Sequence, residues 1–382
     1  MQALRAFAYG LGSVLIGTTL ARRGLDGGEV GVVLGALLAG TALVSIALGR
    51  YGDRVGRRRA YRLLLVAMAI SGTVFALTDS LPALLLAALT GTISTEIIES
   101  GPFTSLEQAM LPHAAGERHP TRLFGTYNTI ATLAGSLGAL AAGGPTLLDT
   151  RSGHWLLAYP LAAIVALVPA ARISPAVELG VELEAEPRPP LHRSRGIVRR
   201  LSALFALDSF GGGFVPQTFI AYLLTRRYGA SPETLGIVFF AAGILQALSF
   251  QAAVRLAGRI GLLRTMVFTH LPSNLLLAAV AFAPNLETAI ALLLGRAALS
   301  QMDVPTRQAY VVAVVDPSER TAAAAYTNTA RYVTRPVAPL LAGITLQGAL
   351  GAPFLIAGVL KSVYDLGLYA LFRNIEVKNE RS

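Results

Sequence analysis

The chain has 382 residues, of which 53% are hydrophobic and 14% charged, with a mean hydropathy of +0.57. Soluble domains carry about 25% charged residues, so an ordinary soluble protein is excluded and a membrane protein is implied. The absence of cysteine excludes disulfides, thiolate catalysis and Cys-based zinc or iron–sulfur centres, and the net charge of +10 is spread through short segments instead of forming the basic face that nucleic-acid binding requires.

A helix needs about 20 apolar residues to cross the hydrocarbon. Twelve runs of that order are predicted, at roughly 4–21, 29–49, 60–78, 82–110, 122–145, 155–172, 198–225, 233–255, 263–283, 287–314, 321–347 and 350–373. The first has Arg5 at its start but no small-residue cleavage site, and it leads straight into a second run. It reads as an uncleaved span.

Between the second and third runs lies Gly49-Arg50-Tyr51-Gly52-Asp53-Arg54-Val55-Gly56-Arg57-Arg58-Arg59. Its charges would cost roughly 2.5–3.5 kcal/mol each at a bilayer centre, so they belong at a membrane face. A merely basic loop explains the arginines but not the spaced glycines or the lone aspartate. The pattern Gly-x-x-x-Asp-Arg-x-Gly-Arg-Arg resembles the loop signature of the major facilitator superfamily of secondary transporters, with Gly49, Asp53, Arg54, Gly56, Arg57 and Arg58 filling it. The resemblance implies an all-α membrane protein whose twelve transmembrane helices form two pseudo-symmetric six-helix bundles. If this loop is cytoplasmic, most loop arginines fall on the same side, which places both termini in the cytoplasm of a cell with an inner membrane.

The fourth run carries Glu96, Glu99 and Glu107. Glu96 and Glu99, three apart on one helix face, have no basic residue within a turn, so they suit either a proton site or a structural pairing with Arg296 or Arg331. Glycines and prolines crowd the fifth and eleventh runs, where small residues permit close contact and bending. The fifth-run pattern only partly matches the motif of drug–proton antiporters, since Gly138 is followed by Ala139.

Residues 173–197, rich in proline and glutamate and then basic, read as a cytoplasmic linker between an N-terminal bundle at 1–172 and a C-terminal bundle at 198–382. The halves repeat at nearly constant offsets: Arg22-Arg23 and Glu29 recur as Arg226-Arg227 and Glu233, Gly56 as Gly261, and Asn128-Thr129 as Asn328-Thr329. This is the mark of a duplication. The second copy replaces the signature aspartate with Gly258.

Asp208 precedes Gly211-Gly212-Gly213 and Pro216 in the seventh run, where an irregular helix is expected. The tenth run carries Arg296, Asp303 and Arg307, the eleventh Arg331 and Arg335, and the twelfth Lys361 and Asp365. Ionisable groups in spans are functional candidates by default. Asp303 with Arg307, and Lys361 with Asp365, are also spaced i, i+4 and could neutralise each other locally. His270 reads as a satisfied polar group.

In superfamily members helices one, four, seven and ten line the central path. By that resemblance Glu96, Glu99, Asp208, Arg296, Asp303, Arg331 and Arg335 border a substrate and proton path, while Asp53, Glu107 and Arg307 join the signature loop in a cytoplasmic gate. The expected protein is a proton-coupled carrier of a small organic solute, anionic or toxic, more readily an exporter than an uptake symporter, and monomeric. A cationic solute remains open. No cofactor, metal or nucleic acid is expected, and no His-Glu-x-x-His, Gly-x-Ser-x-Gly or phosphate loop supports an enzyme. Charges clustered among Gly/Pro breaks favour a carrier over a channel.

Overall fold

The computed structural model describes residues 1–94, 101–115, 120–175, 191, 193–316, 319–346 and 349–375. Among them the chain forms α-helices and no strand. Eight helical stretches are individually long and apolar enough to span a bilayer: Gln2–Arg22, Gly27–Leu48, Arg57–Leu77, Tyr127–Leu147, Ser152–Ala171, Pro232–Ile260, Leu262–Phe282 and Ala352–Phe372.

These correspond to the first three runs, then the fifth, sixth, eighth, ninth and twelfth. In helix terms they are α1 (Gln2–Arg22), α2 (Gly27–Val55), α3 (Arg57–Leu77), α6 (Pro120–Ala141) with α7 (Gly144–Leu147), α8 (Ser152–Trp155) with α9 (Ala158–Ala171), α12 (Pro232–Ile260), α13 (Leu262–Ala279) and α18 (Ala352–Phe372). The other four expected spans are each divided in two. They are α4 (Leu81–Leu89) with α5 (Pro102–Ala115), α10 (Arg195–Gly213) with α11 (Gln217–Tyr228), α14 (Leu286–Ser300) with α15 (Asp303–Val314), and α16 (Arg320–Thr334) with α17 (Val337–Thr345). Those four are the runs that carry Glu107, Asp208, Arg307 and Arg331, while Arg5, His270, Lys361 and Asp365 lie on the undivided α1, α13 and α18. Interrupted helices are characteristic of binding regions in transporters, where freed backbone groups can serve a cavity.

Local chemistry sets several boundaries. Asp26 accepts from the Glu29 amide (2.8 Å) and Glu29 accepts from the Asp26 amide (3.0 Å), a reciprocal cap at the start of α2. Asn285 caps α14 by accepting from the Thr288 amide at 2.9 Å. Between α2 and α3 the backbone turns through Gly56 at φ 88°, and between α12 and α13 through Gly261 at φ 85°. Side chains are disfavoured there, which explains why both copies of the duplication have glycine at this turn.

By packing, the chain divides into two compact units. Unit 1 comprises Met1–Glu186 with Pro216–Phe240, and unit 2 comprises Pro187–Val215 with Ala241–Ser382. Within unit 1, α1 is almost wholly buried. Gly10 faces the Gly135 carbonyl of α6 and Gly138 faces the Phe7 carbonyl of α1, so the two backbones nearly touch. Unit 1 also holds α11, whose Tyr222 hydroxyl donates to the Leu25 carbonyl at 3.3 Å. Unit 2 has a core of Val198, Leu201 and Phe205 from α10, Met266 and Val267 from α13, Tyr310 and Val311 from α15, and Tyr364, Leu368 and Phe372 from α18. Outer faces remain apolar: α3 buries Tyr61, Leu65, Met68 and Phe75 yet exposes Leu63, Ile70 and Leu77. Hydrophobicity on all sides fits a helix surrounded by protein on one side and lipid on the other.

Candidate functional site

Each unit buries a charge network built from several helices. In unit 1, α1 presents Arg5, 2% exposed, to Glu107 of α5, 6% exposed. Arg5 Nη1 donates to Glu107 Oε1 at 2.8 Å and Nη2 to Oε2 at 2.7 Å. Tyr61 of α3 donates to Oε1 at 2.6 Å and Tyr127 of α6 to Oε2. Gln2 also accepts from Arg5, and the guanidinium lies 4.5 Å from the centre of the Phe103 ring. Four donors meet the two carboxylate oxygens, so the acceptor capacity of Glu107 is filled.

Unit 2 assembles a larger network. Asp208 of α10 receives Lys361 of α18 on Oδ1 and Arg307 of α15 on Oδ2, the latter at 3.4 Å. Arg307 also holds Asp303 at 2.9 Å, the i, i+4 pair that the spacing allowed. His270 of α13 sets Nδ1 2.9 Å from Asp365 Oδ1 and points Nε2 toward Asp208 Oδ1 at 3.9 Å. Asn274, one turn on, donates to Asp365 Oδ2 at 2.9 Å. Asp208, Asp303, His270, Arg307, Lys361 and Asp365 are all buried. Here ions share partners: Asp208 has two cations and Arg307 has two carboxylates.

This corrects one local expectation. Lys361 does not close an i, i+4 pair with Asp365; it reaches Asp208 on α10, while Asp365 turns to His270 and Asn274. A side chain as long as lysine can choose a tertiary partner over a helical neighbour when a buried carboxylate is in reach. Glu107 and Arg307, expected at a gate, each have ion-pair partners inside their own unit.

The remaining candidates fall as follows. Arg296 lies on α14, and its Nε is buried with no hydrogen-bond partner among the described residues. Arg331 lies in the last turn of α16, where its carbonyl accepts from Ser209 of α10 at 2.8 Å, and Arg335 caps that helix. Gly49, Asp53 and Arg54 belong to α2, with their side chains outside the described set. Arg57 is buried and Arg58 half-buried at the start of α3. Glu96 and Glu99 lie outside the described residues.

Sequence reasoning missed Arg5, Tyr61, Tyr127 and Asn274 as members of networks. Arg5 did carry a signal, since it stands inside an apolar run and an arginine there needs a partner.

A family model described as Major Facilitator Superfamily matches residues 1–295. The chain belongs to that superfamily. It is therefore a multi-pass membrane transporter and not an enzyme. An uncharacterized membrane protein of Saccharomyces cerevisiae is 26% identical over 98% of this chain and 93% of its own length. A probable plastidic glucose transporter of Arabidopsis thaliana is 30% identical over 58% of this chain and 42% of its own. Among solved superfamily structures, the inward open form of the xylose transporter XylE from E. coli superposes with a TM-score of 0.75 at 13% identity, covering 100% of this chain and 96% of that one. The nucleoside transporter NupG gives a TM-score of 0.75 at 14% identity, over 97% of each chain.

Proposed function

We propose that this chain is a proton-coupled secondary carrier of a small organic anion, working by alternating access in a cytoplasmic membrane with both termini inside the cell. The observation that carries the anionic reading is the balance of charge in unit 2. Its span-borne carboxylates are Asp208, Asp303 and Asp365, against Arg296, Arg307, Arg331, Arg335 and Lys361. A membrane-embedded surplus of cations is costly unless a counter-ion joins it, and a substrate carboxylate or phosphate would be that counter-ion. Arg296, with a buried Nε lacking a partner, is the residue proposed to meet it. A planar guanidinium suits such a group because it can donate two parallel hydrogen bonds.

The related transporters carry names that speak of glucose, xylose and nucleosides. A hydroxyl-bearing anion, such as a sugar acid or a sugar phosphate, reconciles those names with the charge. Asp53 is proposed to hold the cytoplasmic side closed, as the family signature implies. Glu96 and Glu99 remain proposed members of the path.

Export is the direction expected from the sequence reading, with no single residue fixing it, and uptake by symport is the second. The charge balance favours that second reading. A proton added to a cationic region strengthens anion binding, and by linkage the anion strengthens proton binding, so the two travel together. Proteoliposomes holding the purified protein, loaded with one solute and diluted into a labelled one, test the class by counterflow. Sugar acids and sugar phosphates should compete, and an inward proton gradient should drive their accumulation. Competition confined to neutral glucose, xylose and nucleosides would sink the anionic reading.

A further inference from the structure

We propose that His270, bridged between Asp365 and Asp208, is the residue of unit 2 that binds the coupling proton, and that its protonation releases Lys361 from Asp208 to receive the anion. The inference rests on the proton-coupled reading above. It assigns the proton to a helix outside the four that line the path in superfamily members, and to a residue whose sequence context gave no sign of it.

The geometry begins with the two ring nitrogens. Nδ1 lies 2.9 and 3.1 Å from the two oxygens of Asp365 and 3.0 Å from Asn274 Nδ2; because a carboxylate can only accept, the hydrogen is assigned to Nδ1 and donated to Asp365. Asn274 fixes Asp365 from the other side, donating to Oδ2 at 2.9 Å. That leaves the Nε2 lone pair as the free base, aimed at Asp208 Oδ1 from 3.9 Å. The Tyr364 ring, centred 5.8 Å from the imidazole and nearly perpendicular to it, packs beside the histidine. A proton arriving from water would settle on Nε2, giving an imidazolium with a carboxylate at each end; a proton leaving returns to water from the same nitrogen.

Every charged neighbour bears on this step. Asp208 comes from α10, Asp303 and Arg307 from α15, and Lys361 and Asp365 from α18, while Arg296 of α14 and Arg331 of α16 add to the field at Asp208. In the ion pairs described, three carboxylates meet two fixed cations, Arg307 and Lys361. Arg307 and Lys361 pair with Asp208 and Asp303, whereas Asp365 pairs with His270, so a protonated imidazole supplies the positive charge at that carboxylate. Once charged, Nε2 competes for Asp208 Oδ1, the same oxygen that Lys361 occupies. Arg307 keeps Asp208 in place through Oδ2, so the member set free is the flexible lysine. In unit 1 the oxygens of Glu107 are instead taken up by Arg5 and by the hydroxyls of Tyr61 and Tyr127.

The test uses the histidine itself. Replacing His113, His119, His154 and His192 by glutamine leaves His270 as the single histidine, and nitrogen-15 NMR of the labelled protein in nanodiscs then reads its protonation directly, with no substrate required. The expected result, as the sample pH is lowered from about 9 to about 5 around the ordinary histidine range, is a change of both ring-nitrogen shifts from the neutral Nδ1–H tautomer to the imidazolium. In Asp365→Asn the midpoint should move by about one pH unit or more. Lys361→Met should move it as well, because the lysine and the imidazolium share an oxygen. An imidazole that stays in one neutral tautomer across the range overturns the proposal, as does a midpoint indifferent to both substitutions. In proteoliposomes His270→Gln should lose accumulation driven by the proton gradient while keeping counterflow. Wild-type vesicles that carry sugar acids without moving protons would instead sink the coupled-transport reading and leave the titration standing.

Discussion

Arg5 and Glu107 form a two-point ion pair, at 2.8 and 2.7 Å, joining α1 to α5 in unit 1. The positions near the repeat offset in unit 2 are Asp208 and Arg307, and they pair as well, at 3.4 Å, with the charges exchanged between the helices. The duplication has kept the place of an ion pair while inverting its polarity. In unit 1 the pair is closed by tyrosines, and in unit 2 it is opened to further ions. The first arrangement holds helices together, whereas the second can rearrange when one charge changes.

For the unit 1 pair, removing one partner strands the other in a site almost free of water. Breaking a buried ion pair this way costs about 3–5 kcal/mol. Glu107→Gln and Arg5→Gln should each lower the melting temperature in detergent markedly, and the reversed pair Arg5→Glu with Glu107→Arg should regain part of the loss. Independent, additive losses in the double variant would show that the two residues do not act as a pair.

The sharing of ions in unit 2 predicts an asymmetry. Lys361→Met leaves Asp208 paired with Arg307, so the loss should be modest, about 1–3 kcal/mol for a charged hydrogen bond. Asp208→Asn instead leaves Lys361 without its carboxylate and Arg307 with Asp303 alone, and should destabilise unit 2 more. Adding Lys361→Met to Asp208→Asn should then recover stability. Thermal unfolding of the three variants measures this, and equal losses in both single variants would contradict the network.

The sequence made some of this legible and hid the rest for a physical reason. Apolar runs, the signature loop and the i, i+4 spacing of Asp303 and Arg307 are local patterns, and local patterns survive in a linear string. Arg5 meets Glu107 across 102 positions and Lys361 meets Asp208 across 153, so no spacing rule could pair them. The division of the fourth run was equally hidden. Leu81 to Leu89 continues into Thr90-Gly91-Thr92 without a strong breaker, yet Gly91 takes φ 66° with its α-carbon against the Gly40 backbone, and the helix stops. The seventh-run break was readable because three glycines and a proline announce it.

Gly56 and Gly261 separate geometry from charge. Both adopt positive φ between consecutive helices, but only Gly56 stands within the full signature. A non-glycine residue in such a conformation costs about 1–3 kcal/mol. Gly56→Ala and Gly261→Ala should therefore destabilise to similar extents in a thermal melt. Should Gly261→Ala be neutral while Gly56→Ala is damaging, the signature glycine would serve its charged neighbours more than the turn.

The proposed orientation rests on the arginines and can be tested without a substrate. Arg58 opens α3 beside the signature loop, and Arg151 is exposed between α7 and α8 at the other end of the spans. Basic residues are retained on the cytoplasmic side because translocating them is unfavourable, and short loops obey this bias most strongly. The signature loop is such a segment, with five arginines from Arg50 to Arg59. Because the chain has no cysteine, a single introduced thiol reports alone. Cysteines at positions 58, 192 and 381 should be protected from an impermeant maleimide in intact cells and become reactive after permeabilisation. A cysteine at position 151 should react in both conditions. Labelling of position 58 from outside, with position 151 protected, would invert the topology and with it the side on which Asp53 could close a gate.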